Sequence, residues 1–179
     1  INDSDPVALL SSSPLALIVR KSFPAQSIKE YLAWTKSNPG KLNMALSGEG
    51  GIVHLAAIWA DEASGAKSTM VPYKGTGPAI QDIIGERVDA TYSNLNDVGP
   101  LLKADKIRLL AVTSGRRSAS FPDTPTLAES GFKDVDVVAW HGWMLPKGTA
   151  TAAVTALNAE LNRMMKSEDI VKTLSSQGV

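Results

Sequence analysis

Ser47-Gly48-Glu49-Gly50-Gly51 carries the strongest chemical signal in this chain. It sits between an apolar run ending at Leu46 and a helical pattern opening at Ile52. A strand that enters a helix through a glycine-rich turn leaves backbone N–H groups facing outward, and the helix dipole adds positive potential there. Such a turn suits a carboxylate or a phosphate. The same glycines equally suit a tight strand-to-helix turn with no ligand. Sharper motifs fail: Gly48-x-Gly50-x-x-Val53 lacks the third glycine of a dinucleotide fingerprint, and no Gly-Lys-Ser/Thr follows for a P-loop. Ala45-x-Ser47-x-Glu49 lacks both glycines of a hydrolase nucleophile elbow. Ser47 as a nucleophile would need a base, and His54, seven residues on in the next helix, is the candidate. A Ser47/His54 hydrolase is therefore the rival to a binding site, and an inert interaction domain is the third reading.

Two further loops share the pattern. Pro72-Tyr73-Lys74-Gly75-Thr76-Gly77 also joins a strand to a helix; Tyr73 offers a hydroxyl and an aromatic face, and Thr76 a hydroxyl at a helix N-terminus. Ser93-Asn94 follows a third apolar run, Val88–Tyr92. If the strands are parallel, all three loops fall on one sheet edge, where open α/β sheets bind ligands. Trp140 and Trp143, three apart in a strand pattern, should point to opposite faces, one into the core and the other toward a cleft. Trp34 and Trp59 read as core residues of amphipathic helices, and Asp82, Glu86 and Asp89 as solvated charges.

Composition narrows the classes. Eighteen basic against eighteen acidic residues in 179 give no net charge, which argues against nucleic acid as a partner. With no Cys there is no disulfide, thiolate metal site or Cys nucleophile, and two histidines leave little for an imidazole metal site. No apolar run is long enough to span a bilayer. The chain opens on Ile1 and shows no signal peptide, so it reads as a processed chain or a fragment, silent about compartment.

The elements that must position these loops alternate. Pro6–Leu10 and Leu15–Arg20 read as two strands separated by Ser11-Ser12-Ser13-Pro14. Ser27-x-x-Glu30 is a capping box for a helix ending near Asn38-Pro39-Gly40. Leu42–Leu46 is a strand; the helix after it carries Ile52, Leu55, Ala56 and Trp59 and stops at Gly65. Thr69–Val71, Val88–Tyr92 and Ile107–Thr113 are strands, with helices over Ala79–Ile84 and Val98–Ala104 between them. Thr124-Pro125 opens a short helix ending at Gly131, Val135–Leu145 is a strand, Thr149 opens a helix with Val154, Leu157, Leu161 and Met165 on one stripe, and Ser167 caps a last helix. This alternation predicts a parallel or mixed sheet covered on both faces.

Ordered motifs then give the chain a likeness. Asn38-Pro39-Gly40-Lys41-Leu42-Asn43, Ser47-Gly48-x-Gly50-x-x-x-His54-Leu55-Ala56 and Val71-Pro72-Tyr73-Lys74-Gly75 come first. Leu110-Ala111-Val112-Thr113-Ser114, Pro122-Asp123-x-Pro125-Thr126 and Trp140-x-Gly142…Pro146-x-Gly148-Thr149 follow. Over nearly its whole length the sequence resembles the substrate-binding receptors of tripartite tricarboxylate transporters, the Bug receptors. The resemblance implies a type II periplasmic binding protein fold: two α/β lobes with a hinge, this chain holding the second lobe and part of the first. It implies a non-enzymatic, monomeric, periplasmic receptor, without cofactor, that captures a small organic carboxylate (dicarboxylate, amino acid or aromatic acid) for the transporter's membrane permease subunits. By the same likeness residues 1–20 belong to the first lobe, 21–114 form the second, and 115–179 return to the first. The likeness carries ligand-binding roles over to Ser47, Gly48, Gly50, Tyr73, Gly75 and Trp140; with Glu49, Gly51, Thr76, Ser93 and Asn94 of the same three loops they make the candidate ligand-binding set. Glu49, Gly51 and Ser93 depart from the family pattern, and Glu49 is expected either to fold over the turn as an internal anion or to disfavour dianionic ligands.

Overall fold

The computed structural model describes residues 2–132 and 135–176. They fall into two compact units, Pro14–Val138 and Ile1–Ser13 with Ala139–Val179. In the larger unit β2 (Leu42–Leu46) pairs in parallel with β3 (Ser68–Pro72) on one side and β4 (Ala90–Asn94) on the other. Next to β4 lies β1 (Ser4–Arg20), antiparallel to it and to β5 (Ile107–Val112), giving the order β3-β2-β4-β1-β5. Leu15–Val19 are wholly buried in the middle of this sheet, as a run apolar on both faces requires.

Connection geometry places the helices. The step from β2 through α2 (Ile52–Ser64) to β3 moves one way across the sheet; the step from β3 through α3 (Thr76–Ile84) to β4 moves back. Right-handed crossovers in opposite directions put α2 and α3 on opposite faces. Ala79 and Ile83 of α3 and Val98 of α4 (Leu95–Lys103) cover a cluster built on Ala16, Ile18, Ala45 and Val112. On the other face α2 buries Val53, Ala56, Ala57 and Ala60, while Leu55 and Trp59 remain exposed. The small alanine stripe lets the helix approach the sheet closely and turns the bulky stripe outward. Trp59 is thus not core; Trp34, partly buried, packs edge-on against Phe23 at 4.9 Å.

The unit boundaries at 13/14 and 138/139 differ from the expected crossings at 20/21 and 114/115. Two physical reasons account for this. Residues 15–19 are the central strand of the larger unit's sheet, and β1 runs unbroken through Ser11–Pro14 where two strands were expected. Beyond β5 the chain also stays on the same unit. Val112 bridges Thr126, the buried Thr113 hydroxyl donates to the Val137 carbonyl and accepts from the Leu15 N–H, and Asp136 accepts from the Gly115 N–H. The capping box here is Thr126-x-x-Glu129 rather than one based on Thr124: each residue's side chain accepts from the other's N–H. It opens only a 3-10 turn, Ala128–Ser130.

In the smaller unit β6 (Val138–Pro146) pairs with β1, and α5 (Thr151–Met165) and α6 (Glu168–Ser176) follow. Leu161 is the buried point of the expected α5 stripe. Trp140 and Trp143 are both about half exposed, at 56% and 50%, so neither is core. Among the described residues β6 has one strand neighbour, and only Ala139 along it is buried.

Asp89 and its neighbours fasten one edge of the larger sheet. Its carboxylate accepts from Arg20 Nε at 2.9 Å and from the Asn43 N–H at 2.9 Å, tying the end of β1 to the starts of β2 and β4. Asp89 is no solvated charge: its side chain is 13% exposed. Asp89→Ala strands a guanidinium and a backbone donor at a half-buried position and should cost about 2–3 kcal/mol. Urea unfolding of the variant measures this, with Glu160→Ala, which breaks an exposed helical pair, as the control that leaves the midpoint in place.

Candidate functional site

Register brings the three sequence-marked loops together. Leu46 is level with Pro72 and Ala45 with both Val71 and Thr91. Continued two residues, that register brings Ser47 and Tyr73, just past the ends of β2 and β3, level with Ser93 of β4. The Tyr73 N–H donates to the Leu46 carbonyl at 2.8 Å and the Gly75 N–H to the Ser47 carbonyl at 3.1 Å, lashing the first two loops to each other. Ser93 is paired with Ala16 of β1, which belongs to the cluster under α3 and α4. Ser93 therefore faces those helices.

Three helices start at this edge, and none has a side-chain cap. Gly51 precedes α2, Gly75 precedes α3, and Asn94 precedes α4, each without a side-chain hydrogen bond to the first turn. By contrast α1 (Ile28–Ser37), away from these loops, is capped by the Ser27 hydroxyl accepting from the Glu30 N–H. Uncapped first turns keep donors and positive dipole ends available to an anion. Gly50 and Gly75 have φ of 73° and 107°, values that side chains disfavour, so the two loops depend on glycine for their shape.

Individual side chains are placed as follows. Ser47 and Gly48 are partly buried, while Glu49, Gly50 and Gly51 are exposed. Glu49 makes no hydrogen bond to the turn among the described residues, so it does not act as an internal anion. His54 accepts the Gly50 N–H on Nδ1 at 3.0 Å, which fixes the turn and leaves its proton on Nε2; its described bonds do not include one with Ser47. Thr76 is the first residue of α3. The Tyr73 hydroxyl is already committed, donating to Asp82 Oδ2 at 2.7 Å, so its partly buried ring rather than its oxygen is what this edge offers. Ser93 is 1% exposed and its hydroxyl has no hydrogen-bond partner among the described residues. Trp140 belongs to the smaller unit.

Sequence reasoning missed two features. Asp82 is not a solvated charge but the acceptor that holds Tyr73 and Arg87. An apolar groove of about 500 Å³ runs along the outer side of α2, lined by Ile52, Leu55, Ile58 and Trp59 against Val137 and Val138. The apolar stripe of α2 was visible in the sequence; that it would face away from the sheet was not. Among the described residues no cluster of three His, Asp or Glu side chains could hold a metal ion, and no helix is long and apolar enough to cross a membrane.

Comparison with known proteins gives consistent matches. The family model described as the tripartite tricarboxylate transporter family receptor matches residues 1–179. Protein BugT of Bordetella pertussis is 33% identical over 178 residues, 99% of this chain and 55% of that protein. The structure of Rhodopseudomonas palustris Rpa4515 with adipate superposes with a TM-score of 0.90 at 33% identity, over 98% of this chain and 59% of that one. The structure of periplasmic binding protein BugD gives 0.87 at 33%, over 98% and 58%. The chain thus spans a little over half the length of the proteins it matches. Its mixed α/β fold is that of two-lobed periplasmic binding proteins, of which it holds one lobe and part of the other.

The Tyr73–Asp82–Arg87 network yields a titration test. The Arg87 bond first, then that of Tyr73, holds the Asp82 carboxyl below its ordinary 3.8. A depressed carboxylate pKa stabilises the fold above the unfolded value, near pH 4, and that contribution is lost as pH falls through the folded value. Arg87→Ala should therefore raise the Asp82 pKa and move the onset of acid unfolding to higher pH, with Tyr73→Phe doing so to a smaller extent. NMR titration of the Asp82 carboxyl reads both; the same curve in Arg87→Ala and the parent protein would refute the assignment.

Proposed function

The chain belongs to the tripartite tricarboxylate transporter family of receptors, and from that membership we propose a periplasmic solute-binding receptor that captures a small organic carboxylate. The ligand class is a dicarboxylate, amino acid or aromatic acid, handed to the permease subunits of a membrane transporter. One observation carries the reading within this chain: three adjacent loops and three uncapped helix N-termini share one sheet edge. Such an edge offers backbone donors and positive dipole ends to an anion, and Lys74, exposed on the second loop, adds a cation beside them. In this reading the Ser47–Gly51 turn and the first turn of α2 take a carboxylate, assisted by the Ser47 hydroxyl. Gly48, Gly50, Gly51, Gly75, Thr76 and Asn94 supply backbone or short polar groups, and Trp140 is assigned to the ligand through the family likeness. The adipate in Rpa4515 supports the carboxylate class. The receptor acts by binding alone, as a monomer and without cofactor. The Gly50 bond to His54 Nδ1 favours a structural over a catalytic histidine.

Calorimetry on the full-length protein with a panel of organic acids tests this. Saturable binding of at least one carboxylate is expected, weakened about 5- to 10-fold in Ser47→Ala by the loss of one hydrogen bond. Turnover of an ester or amide that disappears in Ser47→Ala would instead establish the hydrolase.

Glu49 sets the charge preference in this proposal, because it stands exposed on the same turn. A like charge about 4 Å away at an effective dielectric near 20 costs roughly 4 kcal/mol. Glu49→Asn should accordingly improve binding of a dicarboxylate relative to its monoamide. An unchanged ratio of the two affinities would remove Glu49 from the account.

A further inference from the structure

Among the described residues, Ser93 carries the buried hydroxyl that has no hydrogen-bond partner. Thr91, two residues before it, donates to the Ala45 carbonyl at 2.7 Å, and Tyr73 donates to Asp82. Ser93 Oγ, in contrast, is buried and has no hydrogen-bond partner among the described residues. A buried polar atom left unpaired loses its hydration without compensation, a cost that proteins retain at few positions. Its location is specific. In the continued register Ser93 is level with Ser47, beside the end of β4 where the strands give way to the ligand-facing loops.

The chemistry of the rung decides what Ser93 can take. Across the sheet it pairs with Ala16 and, beyond that, lies level with Val112, while the register of β2 and β3 continued past their ends leads to Ser47 and Tyr73; none of these is charged. The nearby Asp82 is already paired with Arg87. A serine hydroxyl both donates and accepts, so it matches an uncharged oxygen that does the same, whereas a carboxylate at that depth would lack a counter-charge.

We propose that Ser93 is a specificity-determining residue that hydrogen-bonds a hydroxyl or keto oxygen carried on the ligand's carbon chain, next to the carboxylate held at the Ser47 turn. This rests on the receptor reading above and refines it: the receptor prefers oxygen-substituted acids over their plain counterparts. A ligand of this kind satisfies the buried hydroxyl left unpaired among the described residues. An unsubstituted acid leaves it unpaired in the complex as well.

The test uses matched pairs, succinate with malate and butyrate with 3-hydroxybutyrate, titrated by calorimetry into the full-length protein and its Ser93→Ala variant. The expected result is at least a fivefold preference for the hydroxy acid of whichever pair binds, reduced to twofold or less in Ser93→Ala, with the plain acid's affinity unchanged. The ligand-free variant should melt at or above the temperature of the parent, because it loses an unpaired buried hydroxyl; a clear fall would mean the hydroxyl is already partnered and overturns the proposal. A preference that survives Ser93→Ala, or no preference in the parent, also overturns it while leaving the receptor reading intact. If the parent binds neither these acids nor any other carboxylate, the receptor reading fails and this proposal fails with it.

Discussion

Parallel pairing of β2 with both β3 and β4 is the constraint on which the rest of this structure depends. Parallel strands all finish at the same edge, so a single register, Ala45 level with Val71 and Thr91, determines which loops can meet. It brings Ser47, Tyr73 and Ser93 to one rung although 26 residues separate the first pair and 20 the second. The same register obliges the connecting helices to start at that edge, and so delivers three first turns of unpaired N–H groups to one place.

The two edges of the sheet are treated differently. At the edge where β2 and β4 begin and β1 ends, Asp89 satisfies Arg20 and the Asn43 amide, the Gly40 N–H donates to the Lys67 carbonyl, and Asp61 accepts twice from Ser68 at the start of β3. Donors and acceptors there are matched within the chain. At the opposite edge, among the described residues, the helices have no side-chain caps and Ser93 has no partner. A fold that fastens one edge with its own side chains can leave the other under-satisfied and available to a ligand, which is how binding capacity coexists with stability.

The α2 helix shows how packing distance overrules hydrophobicity. Its sequence carries two apolar stripes, a bulky one through Leu55 and Trp59 and a small one through Ala56, Ala57 and Ala60, and the small one is buried. Close approach of helix to sheet gains more contact along its length than a spaced-off packing of large side chains would. The bulky stripe then lines a groove with Val137 and Val138 on the outer side of the helix.

Local chemistry in the sequence was enough to mark most elements. Ser27-x-x-Glu30, Gly65 and the glycine-rich turn each stop or start a helix by forces acting within a few residues, and helix, strand and loop follow from them. The candidate loops were legible for the same reason: glycine at Gly50 and Gly75 answers a local need for positive φ. What the sequence could not contain is any property that depends on which strand lies beside which. That β1 passes straight through Ser11–Pro14, that the larger unit runs from Pro14 to Val138, that Asp89 is a partly buried anchor, and that Ser93 rather than Tyr73 keeps its hydroxyl unpaired among the described residues were all decided by tertiary pairing. Hydrogen-bond satisfaction and burial are set by neighbours distant along the chain, and a serine looks the same in the sequence whether its partner is present or absent.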